Sequence, residues 1–258
     1  MFWALVLVVI TYVLVPVLRP LFFTQTRQNY RGHLVPTGFG LTFVFTSVLV
    51  LVARGQGLSL LLAVLLLFFA LLGLVDDFLG DGSVKGLRGH FGQGRISTGT
   101  CKALGGICFA LAISLQLSRG WLEVVVSTIL VASAANFLNL LDLRPGRAGK
   151  AFIIFALPFI FLAPLDRDPL LWLLGAVAGY LPWDLREKVM MGDTGSNSLG
   201  ATLGLVTAMI LPTMAKILVV VVLVALNLLA EQISFSRVIE RNRFLNFLDR
   251  LGRDHLDS

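Results

Sequence analysis

The sequence predicts an all-α fold: a polytopic membrane helix bundle of about nine spans. Three observations predict it. The chain is 57% apolar and 14% charged, with a mean hydropathy of +0.87, whereas soluble domains are about a quarter charged. The apolar residues fall into runs of membrane-crossing length, separated by short polar connections. No polar block is long enough to form a separate soluble domain.

The runs place helices near 1–18, 39–53, 58–75, 99–117, 122–140, 150–164, 169–182, 197–212 and 216–231. The opening MFWALVLVVITYVLVPVL has neither a basic n-region nor an A-x-A pattern, so it reads as a retained first helix. Pro36 and Gly38 mark the turn into the second helix. Cys101 and Cys108 share the fourth; seven residues apart, their Cα atoms are roughly 10 Å distant, too far to bridge, and they are expected as buried thiols.

Lysine and arginine set the orientation. With the N-terminus outside, only Arg54, Arg119, Arg167 and Lys216 fall on the outer side, leaving 17 of the 21 basic residues inside. The expected arrangement is therefore N-out/C-in, with long polar connections and any active site on the cytoplasmic face. Residues 1–231 form the expected transmembrane catalytic bundle and 232–258 a cytoplasmic amphipathic tail. In the tail, Val238, Ile239, Phe244, Leu245, Leu248 and Leu251 alternate with arginines, which predicts a helix lying on the inner leaflet. The net charge of +6 is scattered between apolar runs, so it reports topology and lipid contact rather than nucleic acid.

Four polar stretches interrupt this pattern. GLVDDFLG puts Asp76 and Asp77 at the C-terminal end of the third helix. There the macrodipole opposes a carboxylate by about 0.3–1 kcal/mol, and a cation would reverse the sign. NFLNLLD places Asn136, Asn139 and Asp142 at i, i+3 and i+6, within an arc of about 120°. Amides in a membrane helix pair between helices, but an Asn–Asn–Asp face beside LRPGRAGK, with Arg144, Arg147 and Lys150, also suits a metal–diphosphate ligand. MGDTGSNSLG sets Asp193, Thr194, Gly195 and Ser196 at the start of a helix, suited to an anion or metal, or to simple N-capping. NYRGHLVPTGFG is a connector that offers Arg31 and His33 to a phosphate or nucleotide. All three carboxylate-bearing stretches fall on the inner side under a topology read from lysine and arginine alone. That favours a Mg²⁺ site at the cytoplasmic membrane surface and phosphoryl chemistry.

GLVDDFLG, NFLNLLD and MGDTGSNSLG, in this order, resemble the polyprenyl-phosphate N-acetylhexosamine-1-phosphate transferases of glycosyltransferase family 4. That family includes the phospho-N-acetylmuramoyl-pentapeptide and GlcNAc-1-phosphate transferases. The resemblance implies that a polyprenyl phosphate, usually undecaprenyl phosphate, attacks a UDP-activated amino sugar and releases UMP, with Mg²⁺ as cofactor. It implies Asp76, Asp77 and Asp193 as catalytic residues and Asp193, Asp77 and Asn139 at the metal. It further implies Asn136, Asn139, Asp142, Arg144, Arg147, Lys85, His90 and Arg31 in substrate binding. The implied partners are the lipid phosphate, the UDP-sugar and membrane lipid, with a homodimer left open. The implied location is a bacterial plasma membrane, and the product would feed cell-wall or surface-glycan synthesis.

The chain also departs from the family. Asp142 is followed by Leu143, Arg144, Pro145 and Gly146 instead of Gly-x-x-Gly, and Gly80 stands where the muramoyl-pentapeptide branch has lysine. The family's histidine cluster is absent, since His33, His90 and His255 lie far apart. The metal and lipid-phosphate core is thus kept and the sugar-selecting part altered. An alternative is a catalytically silent polyprenyl-phosphate-binding or accessory protein. A secondary transporter would place its polar groups near the midplane rather than at one interface.

Overall fold

The computed structural model describes residues 1–22, 25–55, 57–80, 98–118, 120–162 and 167–253. The chain forms α1 (Phe2–Leu18), extended by a 3-10 turn (Arg19–Phe22), then a hairpin of β1 (Thr26–Gln28) and β2 (Leu34–Pro36). Eight membrane-length or shorter apolar helices follow: α2 (Gly40–Arg54), α3 (Leu58–Leu79), α4 (Thr98–Leu117), α5 (Trp121–Leu141), α6 (Arg147–Leu162), α7 (Asp168–Leu185), α8 (Gly192–Ile210) and α9 (Thr213–Ala230). Two short helices, α10 (Phe235–Arg241) and α11 (Arg243–Arg250), close the described chain.

Each of the nine expected segments is helical over most of its described residues. Among the described residues, five helices are long and apolar enough to cross a membrane: Phe2–Phe22, Leu58–Leu79, Gly99–Leu117, Trp121–Leu141 and Thr213–Ala230; Gly40–Arg54 is apolar but shorter. The protein is a polytopic helical membrane protein.

Helix α8 is the axis of the bundle. Every residue from Thr194 to Ala208 is buried, and the helix packs chiefly against α3 and α5. Its small residues allow this. A Cβ on Gly200 would lie 2.4 Å from the Ala134 carbonyl oxygen of α5, and one on Gly73 of α3 would lie 2.3 Å from the Asp193 carbonyl oxygen. Some of the buried hydroxyls bond back to their own helix: Ser198 donates to the Thr194 carbonyl at 2.7 Å and Thr202 to that of Ser198 at 2.9 Å.

The hairpin departs from the expected plain connector. It pairs Arg27 with Val35 in antiparallel register. It also fixes the entry to α8, because the Met190 amide donates to the Pro36 carbonyl at 2.8 Å and the Gly40 amide to that of Met191 at 2.9 Å. Cys101 and Cys108 are exposed on α4, not buried as expected. Among the described residues α4 packs on α5 and α3, and that packing covers neither thiol.

The tail differs too. It is two short helices broken at Asn242, whose side chain caps α11 through the amides of Phe244 and Leu245, both at 3.1 Å. Its polar side is fastened to the 142–150 connection. Arg147 pairs with Asp249 through two hydrogen bonds, at 2.7 and 3.0 Å, and both residues are buried. Lys150 donates to the carbonyls of Leu248, Asp249 and Leu251 at the end of α11, a favourable place for a cation. Phe244, Phe247 and Leu251 remain exposed on the other side.

Candidate active site

Asp77 ends α3 and is buried. Its two carboxylate oxygens receive the first amides of α8: Oδ1 accepts from Asp193 N at 3.0 Å, and Oδ2 accepts from Thr194 N at 2.9 Å and Thr194 Oγ1 at 2.6 Å. Within α8 itself no side chain caps the N-terminus. The cap comes from a different helix and satisfies amides that would otherwise be orphaned. Gly192, at φ +71°, makes the approach sterically open, since a Cβ there would sit 2.5 Å from Asp77 Oδ2.

The unfavourable placement of two carboxylates at the C-terminal end of α3 is offset by Arg27. Its Nη2 donates to the carbonyls of Asp76, Asp77 and Gly80 at 2.9, 3.1 and 3.2 Å.

Asp76 and Asp193 face a common cation. Lys102 Nζ, from α4, donates to Asp76 Oδ2 at 3.1 Å and also to Asp193 Oδ2. Asn139 Nδ2 reaches the same Asp193 oxygen at 3.4 Å, while Asn139 Oδ1 accepts from Ser196 Oγ at 2.9 Å. Four helices, α3, α4, α5 and α8, thereby meet at one end of the bundle.

Asp142 follows directly on α5, close to the Gly192 amide. Burial, then the negative charges of Asp184, Asp193 and Asp77, push its carboxyl well above the usual carboxylate range, against the pull of that amide. Asp184 is itself buried and accepts from the Gly146 amide at 2.9 Å.

The sequence-derived set divides on this geometry. Asp76, Asp77, Asn139, Asp142 and Asp193 come together. Asn136 does not: it pairs with Asn227 of α9 at 3.2 Å, and Asn227 also donates to the Ser133 carbonyl at 2.9 Å. An arc of about 120° is wide enough to face two neighbouring helices. Arg144 meets Glu240 at 3.2 Å and stacks on Tyr30, with 4.4 Å to the ring centre. Arg147 is held by Asp249, and Arg31 is paired with Glu187 at 3.3 Å. Of the expected metal ligands, Asp77 is turned to the α8 amides and Asn139 orients Asp193. Among the described residues no three His, Cys, Asp or Glu side chains form a ready metal cage. Lys85 and His90 lie outside the described residues.

Sequence reasoning missed Lys102, Arg27 and Asp184 as site residues. Lys102 carried a signal, since an ammonium one turn inside an apolar helix needs an acidic partner.

The geometry defines a polytopic helical membrane protein with a carboxylate-lined junction at one end of its bundle. Residues 58–212 match glycosyl transferase family 4, and the chain belongs to that family. The resemblance read from GLVDDFLG, NFLNLLD and MGDTGSNSLG is thereby borne out. Its relatives include proteins named phospho-N-acetylmuramoyl-pentapeptide-transferase. That of Oceanobacillus iheyensis is 28% identical over 264 residues, covering 90% of this chain and 81% of the relative. That of Staphylococcus aureus is 27% identical over 270 residues, covering 91% and 84%. That of Wolbachia pipientis is 29% identical over 198 residues, covering 68% and 60%. The chain is accordingly an enzyme of the phosphotransferase type.

Proposed function

We propose that the chain transfers a sugar-1-phosphate, of the N-acetylhexosamine type, from a UDP-sugar to a polyprenyl phosphate and releases UMP. In this reading the reaction is Mg²⁺-dependent, runs on the cytoplasmic face of a nine-span, N-out/C-in bundle, and feeds cell-wall or surface-glycan synthesis. The observation that carries it is the convergence of Asp76 and Asp193 on one cation position, with Asp77 fixing the N-terminus of α8 beside them.

The donor set suits Mg²⁺. That ion keeps several waters and takes one or two carboxylates plus substrate phosphates, so no closed protein cage is needed. Asp76 and Asp193 would hold it, with Asn139 orienting Asp193. When bound, Mg²⁺ would neutralise charge on the diphosphate and polarise its oxygens. The remaining work falls to the chain. The buried Asp77 caps the α8 N-terminus and keeps it in register with α3, which holds Asp193 in place. A lipid phosphate is already anionic near neutral pH, so positioning and electrostatics can supply most of the catalysis.

The test supplies purified protein with Mg²⁺, undecaprenyl phosphate and a panel of UDP-sugars, and measures UMP. Release with at least one sugar is expected, abolished by EDTA and nearly abolished in Asp193→Asn. Full activity in Asp193→Asn would overturn the metal assignment. Folded protein that releases no UMP from any sugar would instead favour the accessory, lipid-phosphate-binding alternative.

A further inference from the structure

Lys102 reaches the two carboxylates assigned above to the metal. Its side chain is 20% exposed, and its ammonium bridges Asp76 of α3 and Asp193 of α8. Two carboxylates brought this close repel unless a cation lies between them, and a lysine inside an apolar helix is costly unless it is paired. Each defect cancels the other. The oxygens that Lys102 occupies, Asp76 Oδ2 and Asp193 Oδ2, belong to the two carboxylates that Asp77 leaves for a metal.

We infer that Lys102 is a resident counter-ion of the cleft, exchanged for the divalent cation when the site is loaded. This rests on the Mg²⁺-dependent reading given above. Among the described residues, the neighbouring cations Arg27, Arg147 and Lys150 have other partners. Arg27 lies on the carbonyls ending α3, Arg147 on Asp249, and Lys150 on the carbonyls ending α11. Lysine also suits exchange better than arginine, because its charge is compact and its four-carbon stem can swing without moving the backbone. Lys102 thus ties α3 to α8 before metal enters, and metal entry carries the added work of displacing an ammonium. Its apparent affinity is lowered accordingly.

The experiment follows thermal unfolding of the full-length protein in detergent against Mg²⁺ or Mn²⁺, without substrate. Wild type is expected to be stable in EDTA and to gain stability only at high metal concentration. Lys102→Met should be less stable in EDTA and regain stability on adding metal, with a midpoint lower by about ten-fold or more. Should Lys102→Met not survive purification in EDTA, Lys102→Gln is prepared in Mg²⁺ and then stripped, and the same midpoint shift is expected. An unchanged midpoint in both variants would overturn the counter-ion role and leave the metal reading standing. No response to either metal in wild type and variants, with UMP release persisting in EDTA, would overturn the metal reading and this inference with it.

Discussion

Asp77 Oδ2 accepts two hydrogen bonds from Thr194, one from its amide at 2.9 Å and one from its hydroxyl at 2.6 Å. The last turn of α3 thus caps the first turn of α8 across more than a hundred residues of sequence. Asp77→Ala should leave several buried donors unpaired and destabilise the bundle by about 1–3 kcal/mol. Asp77→Asn keeps one acceptor oxygen and should lose less. Thermal unfolding in detergent checks the order: wild type above Asp77→Asn, and Asp77→Asn above Asp77→Ala. An Asp77→Ala protein as stable as wild type would remove the capping role.

What could be read from the sequence is what a bilayer imposes locally. Apolar run length gave all nine helical segments because each run must satisfy its own backbone. The carboxylates stood out because charge is rare in such runs. What could not be read depends on partners distant in sequence. Asn136 and Asn139 look equivalent in the sequence, yet one faces α9 and the other α8. Arg144 and Arg147 resemble phosphate ligands until Glu240 and Asp249, about a hundred residues later, fold back onto them. Lys102 is a topology marker by position and a site residue only once α3 and α8 are placed beside it.

The close approach of α8 to α5 gives a steric prediction. At Gly200 a Cβ would lie 2.4 Å from the Ala134 carbonyl oxygen and 2.6 Å from the Ala135 Cα, both backbone atoms that cannot turn aside. Gly200→Ala should therefore force the helices apart, at about 1–3 kcal/mol or more. Among the described residues, nothing lies within 4 Å of a would-be Cβ on Gly120. Gly120→Ala is the control: Gly120 is the N-cap of α5 in extended backbone that alanine also adopts, so the change should cost no more than about 1 kcal/mol. Equal melting temperatures for the two variants would contradict the packing described.

The divided Asn pair gives a functional contrast. Asn136→Leu should loosen α9 from α5 by about 0.6–2 kcal/mol and leave UMP release within about two-fold of wild type. Asn139→Leu removes the donor that orients Asp193 and should lower turnover by about 100-fold. Steady-state UMP release at saturating UDP-sugar measures both. Comparable losses in the two variants would return Asn136 to the substrate-binding set.

The tail supplies a pH-dependent test. Burial opposes the charge on Asp249. Hydrogen bonds and charge from Arg147, with the charge of Arg253, outweigh it and hold the carboxyl below the usual carboxylate range. A depressed native value means that the pairing stabilises the docked tail above the ordinary aspartate range, near about 4, and is lost as pH falls through the native value. Hydrogen exchange at the α10 and α11 amides, corrected for intrinsic rate, should show wild-type protection from pH 7 down to about 4 and its loss below that. Asp249→Asn leaves the buried Arg147 without its charge partner. Removing one partner of a buried pair costs about 3–5 kcal/mol, so the variant's tail should already exchange fast at pH 7. Lys150 still holds the last carbonyls of α11 in this variant, so the loss should be greatest around Ser236, which Arg147 also contacts at 2.9 Å. Equal protection of wild type and Asp249→Asn at pH 7 would show that the ion pair does not anchor the tail.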